Sequence, residues 1–111
     1  MTNADYDLVI AGGGMVGSTL ACALSDADLK IALLESAPLE RIRPGEETDL
    51  RVSAVNRASQ RIFAAVDAWN DMTAWRVSPF RDMRVWDAGG FGQIHFDSAS
   101  LGEPLLGWII E

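Results

Sequence analysis

The chain has 111 residues, of which 49% are hydrophobic, and this length and composition fit one ordinary globular domain. Its net charge of −7 excludes nucleic acid and anionic membrane surfaces as main partners, because both require a basic surface. Its single cysteine excludes an internal disulfide and a cysteine-based metal cluster. No run approaches the roughly 20 apolar residues of a spanning helix. The chain is therefore predicted to be cytoplasmic, with peripheral contact at the inner membrane as an alternative.

Residues 1–36 are predicted to form a strand, a helix and a second strand. The apolar runs at 6–11 and 29–35 are typical of buried parallel strands. Between them, residues 14–25 have helical spacing of apolar residues. The predicted inner face consists of two neighbouring lines: Val16, Leu20 and Leu24, and Gly17, Ala21 and Leu24. The predicted fold class is α/β, with a Rossmann-like βαβ unit and a parallel sheet.

The run "GGGMVG" satisfies the pattern G-x-G-x-x-G through Gly12, Gly14 and Gly17. Gly12 permits a tight turn from strand to helix, Gly14 allows the backbone to approach a pyrophosphate, and Gly17 allows the helix to pack closely on the strand. The N–H groups of Met15 and Val16, at the start of the helix, are predicted to face the phosphates. This arrangement explains how an acidic chain holds an anionic ligand.

The second predicted strand ends on Glu35, which follows Gly17 by 18 residues. A carboxylate at this position accepts hydrogen bonds from ribose hydroxyls and repels a 2′-phosphate. The pattern therefore predicts a cofactor-binding site that prefers FAD or NAD to NADP, and it leaves the choice between FAD and NAD open.

The rest of the chain is predicted to hold an exposed loop at 37–55, a helix at 56–70 and a β region at 83–111. Asn56 is the predicted N-cap of the helix. Its predicted buried face is formed by Ala58, Ile62, Ala65, Val66 and Trp69. A β-hairpin is expected from 83 to 97 because two alternating runs flank a glycine-rich turn. The final run, 105–110, is expected to add a third strand to the hairpin's sheet.

Other residues with chemical potential are interpreted as structural. The only histidine, His95, is assigned to the polar face of the hairpin, and Cys22 to a buried, inert position. Packing is the predicted role of Trp69 and Trp86, whereas the role of Trp108 stays open. The acidic run "GEETD", at 45–49, is interpreted as a solvated loop, and no metal site is predicted.

Three further stretches, taken together with "GGGMVG", point to a known family. They are "DLRVSAVNRAS" at 49–59, "MRVWDAGGFGQIHFD" at 83–97 and "LGWIIE" at 106–111. This combination resembles the N-terminal part of the FAD-dependent aromatic hydroxylases of ubiquinone biosynthesis, in the group that includes para-hydroxybenzoate hydroxylase. The resemblance implies FAD as the cofactor. It also matches Arg51 to a family arginine that reaches the flavin nucleotide.

The resemblance implies a monooxygenase that takes a hydride from NADPH or NADH and uses dioxygen to hydroxylate a polyprenylated phenol or a related ring. Because the chain ends at Glu111 and lacks the family's distant Gly-Asp motif, the domain is expected to be incomplete, with weak FAD binding and no turnover alone. Two alternatives are an NAD-dependent dehydrogenase fragment and a non-catalytic nucleotide-binding or interaction module. The interaction module would self-associate through an exposed strand edge.

Overall fold

The computed structural model describes residues 4–38 and 51–111. Contacts divide the chain into two compact units, Met1–Glu46 and Glu47–Glu111. Within the described residues, no helix has the length and apolar character that crossing a membrane requires.

The first unit contains a parallel pair of strands with a helix between them in sequence. Its elements are strand β1 (Leu8–Ala11), helix α1 (Met15–Ala23) and strand β2 (Ile31–Leu34). The register of β1 and β2 runs from Leu8 opposite Ile31 to Ala11 opposite Leu34. A parallel pair needs a crossover connection, which here includes α1. The prediction of an α/β chain that begins with a parallel strand pair is confirmed.

Helix α1 turns only one of its two predicted lines inward. Gly17, Ala21 and Leu24 are half-buried, whereas Val16 is 84% exposed and Leu20 is 46% exposed. The prediction of Val16 and Leu20 on the inner face is therefore wrong. The physical reason is the close approach of α1 at Gly17 to the end of β1, which turns the neighbouring line toward solvent.

The predicted burial of Cys22 is also wrong, because this free cysteine is exposed. It follows Ala21 directly, so it lies off the inner line of α1.

Residues 51–111, the described part of the second unit, contain five strands, two α-helices and one short 3₁₀ helix. In chain order they are β3 (Ser53–Asn56), α2 (Arg57–Ala65), α3 (Trp69–Thr73), β4 (Val77–Phe80), β5 (Asp82–Trp86), β6 (Gln93–Asp97), the 3₁₀ helix (Ala99–Leu101) and β7 (Gly107–Ile110). Strand β7 lies between β3 and β4 and is antiparallel to both, and β5 and β6 form a separate antiparallel pair.

This topology corrects two predictions. The final strand, β7, pairs with β3 and β4 rather than with the predicted hairpin, which the structure contains as β5 and β6. Gly107 allows β7 to approach both β3 and β4 closely, because a Cβ at this position would lie 2.3 Å from the carbonyl oxygen of Val55 and 3.0 Å from the Phe80 ring. The predicted loop at 37–55 includes the start of β3. Residues 39–50 of that loop, including "GEETD", lie outside the described residues.

The predicted helix at 56–70 is two helices. Asn56 is the N-cap of α2, as predicted, and its Oδ1 accepts a hydrogen bond from the backbone N–H of Ser59 at 2.8 Å. Helix α2 ends at Ala65, and Asp67 adopts a positive φ of 61° before α3 begins. This left-handed residue breaks the helix, which explains why the predicted single helix is wrong.

The buried side chain of α2 is Phe63, which is 7% exposed, whereas Ile62 is 54% exposed. The predicted stripe through Ala58, Ile62 and Ala65 therefore faces outward. Phe63 instead packs with Val55 and Ile110 into the core of the second unit. The partly buried residues around this core are Ala68, Trp69, Met72 and Trp108.

The tryptophans have different environments. Trp69 and Trp108 pack edge to face, with ring centroids 5.0 Å apart and an interplanar angle of 69°, which confirms packing for Trp69 and gives Trp108 the same role. The packing prediction for Trp86 is wrong because its side chain is 71% exposed. It lies on β5, whose five residues are all exposed.

Candidate functional site

The candidate site is the turn between β1 and α1, and Gly12 gives this turn its shape. Gly12 has a φ of +104°, a backbone conformation that residues with a Cβ rarely adopt. Its N–H donates a hydrogen bond to the carbonyl oxygen of Leu34 at 2.7 Å, which extends the contact between the first strand and the second. The turn is thereby fixed to the end of the parallel pair.

Gly17 closes the other side of the turn. A Cβ on Gly17 would lie 1.9 Å from the carbonyl oxygen of Gly12 and 3.2 Å from Cγ2 of Ile10. Because the nearest obstacle is backbone rather than a flexible side chain, only glycine fits without moving the turn. The spacing of the first and third motif glycines therefore reflects a direct steric contact between them.

The start of α1 presents backbone donors. Gly14 is the N-cap, without a side-chain cap, and its carbonyl oxygen accepts the N–H of Ser18 at 2.9 Å. The N–H groups that precede Ser18, including those of Met15 and Val16, have no acceptor one turn earlier in the helix. A Cβ on Gly12 or Gly14 would meet nothing within 4 Å, so the backbone there borders open space.

Glu35, directly after β2, contacts the turn through its side-chain carboxylate. Its Oε2 accepts a hydrogen bond from the N–H of Gly13 at 2.8 Å, and its Oε1 accepts one from the N–H of Ala37 at 3.0 Å. These two backbone donors, Ala37 first and then Gly13, lower the pKa of the Glu35 carboxyl below its ordinary value. The carboxylate is therefore ionised at neutral pH and held beside the glycine turn.

The structure thus brings together six of the seven predicted site residues in the first unit. They are Gly12, Gly14, Met15, Val16, Gly17 and Glu35. The seventh, Arg51, is exposed and belongs to the second unit.

The sequence prediction missed the contributions of Gly13, Ser18 and Ala37. Gly13 occupies a variable position of the motif, yet its N–H binds Glu35. The hydroxyl of Ser18 donates to the carbonyl oxygen of Gly13 at 2.8 Å, which fixes the next peptide group of the turn from the helix side. The run of three consecutive glycines was the available signal for Gly13. The backbone donor at Ala37 has no signature in residue type.

His95, the histidine assigned to the polar face of the hairpin, has a partner within the second unit. Nε2 of His95 lies 2.9 Å from Oδ1 of Asp82, a pair between the two strands of the hairpin. Within residues 4–38 and 51–111, no group of three or more histidine, cysteine, aspartate or glutamate side chains is arranged to hold a metal ion.

Comparison with known proteins confirms the resemblance that the sequence predicted. Over nearly its whole length, the chain is similar to monooxygenases and hydroxylases of ubiquinone biosynthesis. Those relatives include the mitochondrial ubiquinone biosynthesis monooxygenase COQ6 of Rattus norvegicus, 38% identical over 115 residues that cover 99% of this chain and 24% of the relative. The 3-demethoxyubiquinol 3-hydroxylase of Escherichia coli is 32% identical over 111 residues, which cover 100% of this chain and 28% of that enzyme.

A third relative, COQ6 of Dictyostelium discoideum, is 33% identical over 119 residues, covering 96% of this chain and 24% of its own. No family model matches the chain. The chain therefore spans about a quarter of the length of the curated relatives that it matches.

Proposed function

We propose that the chain is the FAD-binding portion of an NAD(P)H- and oxygen-dependent monooxygenase that hydroxylates a phenol or quinone-precursor ring in ubiquinone biosynthesis. The observation that carries this proposal is the near-complete coverage of the chain by ubiquinone biosynthesis monooxygenases. The glycine turn with an ionised carboxylate beside it supports the same conclusion from the structure.

The residues of the turn fit the nucleotide half of FAD. Gly12 and Gly14 border open space where a pyrophosphate approaches the backbone, and Met15 and Val16 contribute N–H groups at the start of α1. Glu35 accepts hydrogen bonds from the ribose, in the manner of a Rossmann-like fold. The role of Arg51 toward the nucleotide rests on the family resemblance alone.

The bound flavin supplies the redox chemistry with the nicotinamide cofactor and dioxygen. This chain binds and orients the nucleotide end of that cofactor. We propose that residues 1–111 are one partial FAD-binding domain, with the dinucleotide fingerprint at 1–36 and the start of the substrate-side β region at 83–111. The polyprenyl phenol and dioxygen are partners of the whole enzyme, in the cytoplasm or at the inner membrane. Alone, the chain is expected to bind FAD weakly and to lack hydroxylase turnover.

Titration of the purified chain with FAD, ADP and NAD⁺ tests this proposal by isothermal calorimetry. FAD and ADP are expected to compete for one site, because both carry the ADP group that the turn holds. Gly14→Val is expected to abolish this binding, since its side chain enters the open space before the turn. Gly92→Val is the matched control, because a Cβ on Gly92 also meets nothing within 4 Å.

Three outcomes would contradict parts of the proposal. Absence of ADP binding contradicts the nucleotide site, and binding of NAD⁺ in clear preference to FAD favours a dehydrogenase fragment. NADPH oxidation stimulated by a phenol contradicts the expected lack of turnover.

Self-association is a second candidate, and the hairpin favours it. Val85 of β5 lies opposite Ile94 of β6, and both are exposed, as are Met83 and Phe96 in the neighbouring pair. Adjacent exposed apolar side chains are a common feature of association surfaces. Light scattering after size exclusion tests this candidate, and a monodisperse monomer at high concentration contradicts it.

A further inference from the structure

Gly13 differs from the three motif glycines in the group that it contacts. A Cβ on Gly13 would lie 3.1 Å from Cβ of Glu35 and 3.2 Å from its Oε2. A Cβ at position 13 would therefore push the Glu35 side chain by a few tenths of an ångström, whereas Gly12 and Gly17 serve the turn itself. The same residue donates its N–H to that carboxylate at 2.8 Å.

The hydrogen bonds to Glu35 fix one orientation of the carboxylate. Gly13 binds Oε2, and Ala37 binds Oε1 together with the hydroxyl of Ser36 at 3.4 Å. A carboxylate has about four acceptor positions, so these three donors leave a free acceptor position on Oε2. The orientation of that free position is set by Gly13.

We propose that Gly13 is a positioning residue that determines how Glu35 recognises the adenosine ribose. This inference rests on the proposed nucleotide-binding function. By holding Oε2 in place, Gly13 prepares the carboxylate to accept a ribose hydroxyl and to repel a 2′-phosphate. The glycine turn and the ribose-binding carboxylate therefore act as one unit, joined at the Gly13 N–H.

A first experiment tests the contact without any nucleotide. In the ¹⁵N-labelled chain, the Gly13 amide resonance is expected to titrate with the carboxylate of Glu35, with a midpoint below the ordinary pKa of glutamate. Glu35→Gln is expected to remove this titration. Gly14→Ala is expected to keep it, because a Cβ on Gly14 touches nothing within 4 Å. A Gly13 amide that does not respond to the ionisation of Glu35 would overturn the proposal.

A second experiment measures calorimetric affinities for ADP-ribose and for 2′-phospho-ADP-ribose. Gly13→Ala keeps the N–H, but its Cβ displaces the Glu35 carboxylate from that donor. The variant is therefore expected to weaken ADP-ribose binding about tenfold, the effect of losing one hydrogen bond to a charged group, and to reduce the preference against the 2′-phosphate. Glu35→Asp keeps the charge but shortens the reach to Gly13, so it is expected to behave in the same way. Gly14→Ala is the matched control, expected to change both affinities by the same factor.

The two experiments separate the inference from the function on which it rests. If the unmodified chain binds neither ligand, the proposed function fails, and ribose recognition by Gly13 fails with it. If the unmodified chain binds ADP-ribose but Gly13→Ala and Glu35→Asp retain its affinity and preference, the positioning role alone is overturned.

Discussion

The two units of the chain hold their geometry by different means. In the first unit, the shape of the turn depends on backbone contacts: the φ of Gly12, the approach of Gly17 to Gly12, and hydrogen bonds that Glu35 accepts from backbone N–H groups. Helix α1 has no buried side chain. In the second unit, the arrangement depends on a small apolar core of Val55, Phe63 and Ile110.

This difference shows where residue type encodes geometry directly. A glycine in close contact with backbone specifies the conformation around it, so a local motif describes that region well. The core of the second unit forms between segments that are distant in sequence. The periodicity of apolar residues within one segment therefore predicts less reliably which side chains are buried in it. Substitutions in each unit therefore test whether backbone contacts or side-chain packing hold it together.

The largest expected effect is on the core of the second unit. Phe63→Ala is expected to lower the free energy of unfolding by about 3 kcal/mol, because it leaves a cavity beside Val55 and Ile110. Urea unfolding followed by tryptophan fluorescence measures this loss, since Trp69 and Trp108 pack against that core. The control is Ile62→Ala, on the exposed side of α2, with an expected loss of about 0.5 kcal/mol. Equal losses for the two variants would contradict a core centred on Phe63.

The corresponding substitution in the first unit is Gly17→Ala. Its Cβ would overlap the carbonyl oxygen of Gly12, so α1 has to move away from the turn, at an expected cost of about 2 kcal/mol. Faster hydrogen exchange of the β1 amides would report this loss. Gly14→Ala, whose Cβ meets no atom within 4 Å, is expected to leave that exchange unchanged. Unchanged exchange in Gly17→Ala would show that the turn does not depend on this backbone contact.

The same distinction explains which features the sequence predicts. The parallel pair, the N-cap at Asn56 and the hairpin follow from local residue types and are present in the structure. The pairing of β7 with β3 and β4 depends on contacts between distant segments, such as Gly107 against Val55 and Phe80, which no local pattern contains. In the candidate site, the glycine motif predicts the turn. The hydrogen bond from Ala37 to the Glu35 carboxylate is donated by a backbone N–H, so the residue type at position 37 does not indicate it.

A smaller effect is expected at the N-cap of α2, where a local signal supports the second unit. Asn56→Ala removes the acceptor for the Ser59 N–H and is expected to cost about 1 kcal/mol. Asn56→Asp is the matched control, because aspartate also accepts that hydrogen bond, and it is expected to retain most of the stability. Urea unfolding of both variants measures the difference. A loss for Asn56→Asp as large as that for Asn56→Ala would argue that Asn56 acts through another contact.

The smallest effect is expected in the hairpin, where no residue of β5 or β6 is buried. Nε2 of His95 and Oδ1 of Asp82 lie 2.9 Å apart, but both side chains are exposed, so solvent screens their attraction. Asp82→Asn is therefore expected to cost less than about 0.5 kcal/mol. Hydrogen exchange of the β5 and β6 amides measures this local change. Asp87→Asn is the control for the loss of one negative charge, because asparagine also accepts the hydrogen bond that the Gly89 N–H donates to Oδ1 of Asp87. A larger loss specific to Asp82→Asn would show that a surface side-chain pair, rather than backbone pairing alone, holds the two strands together.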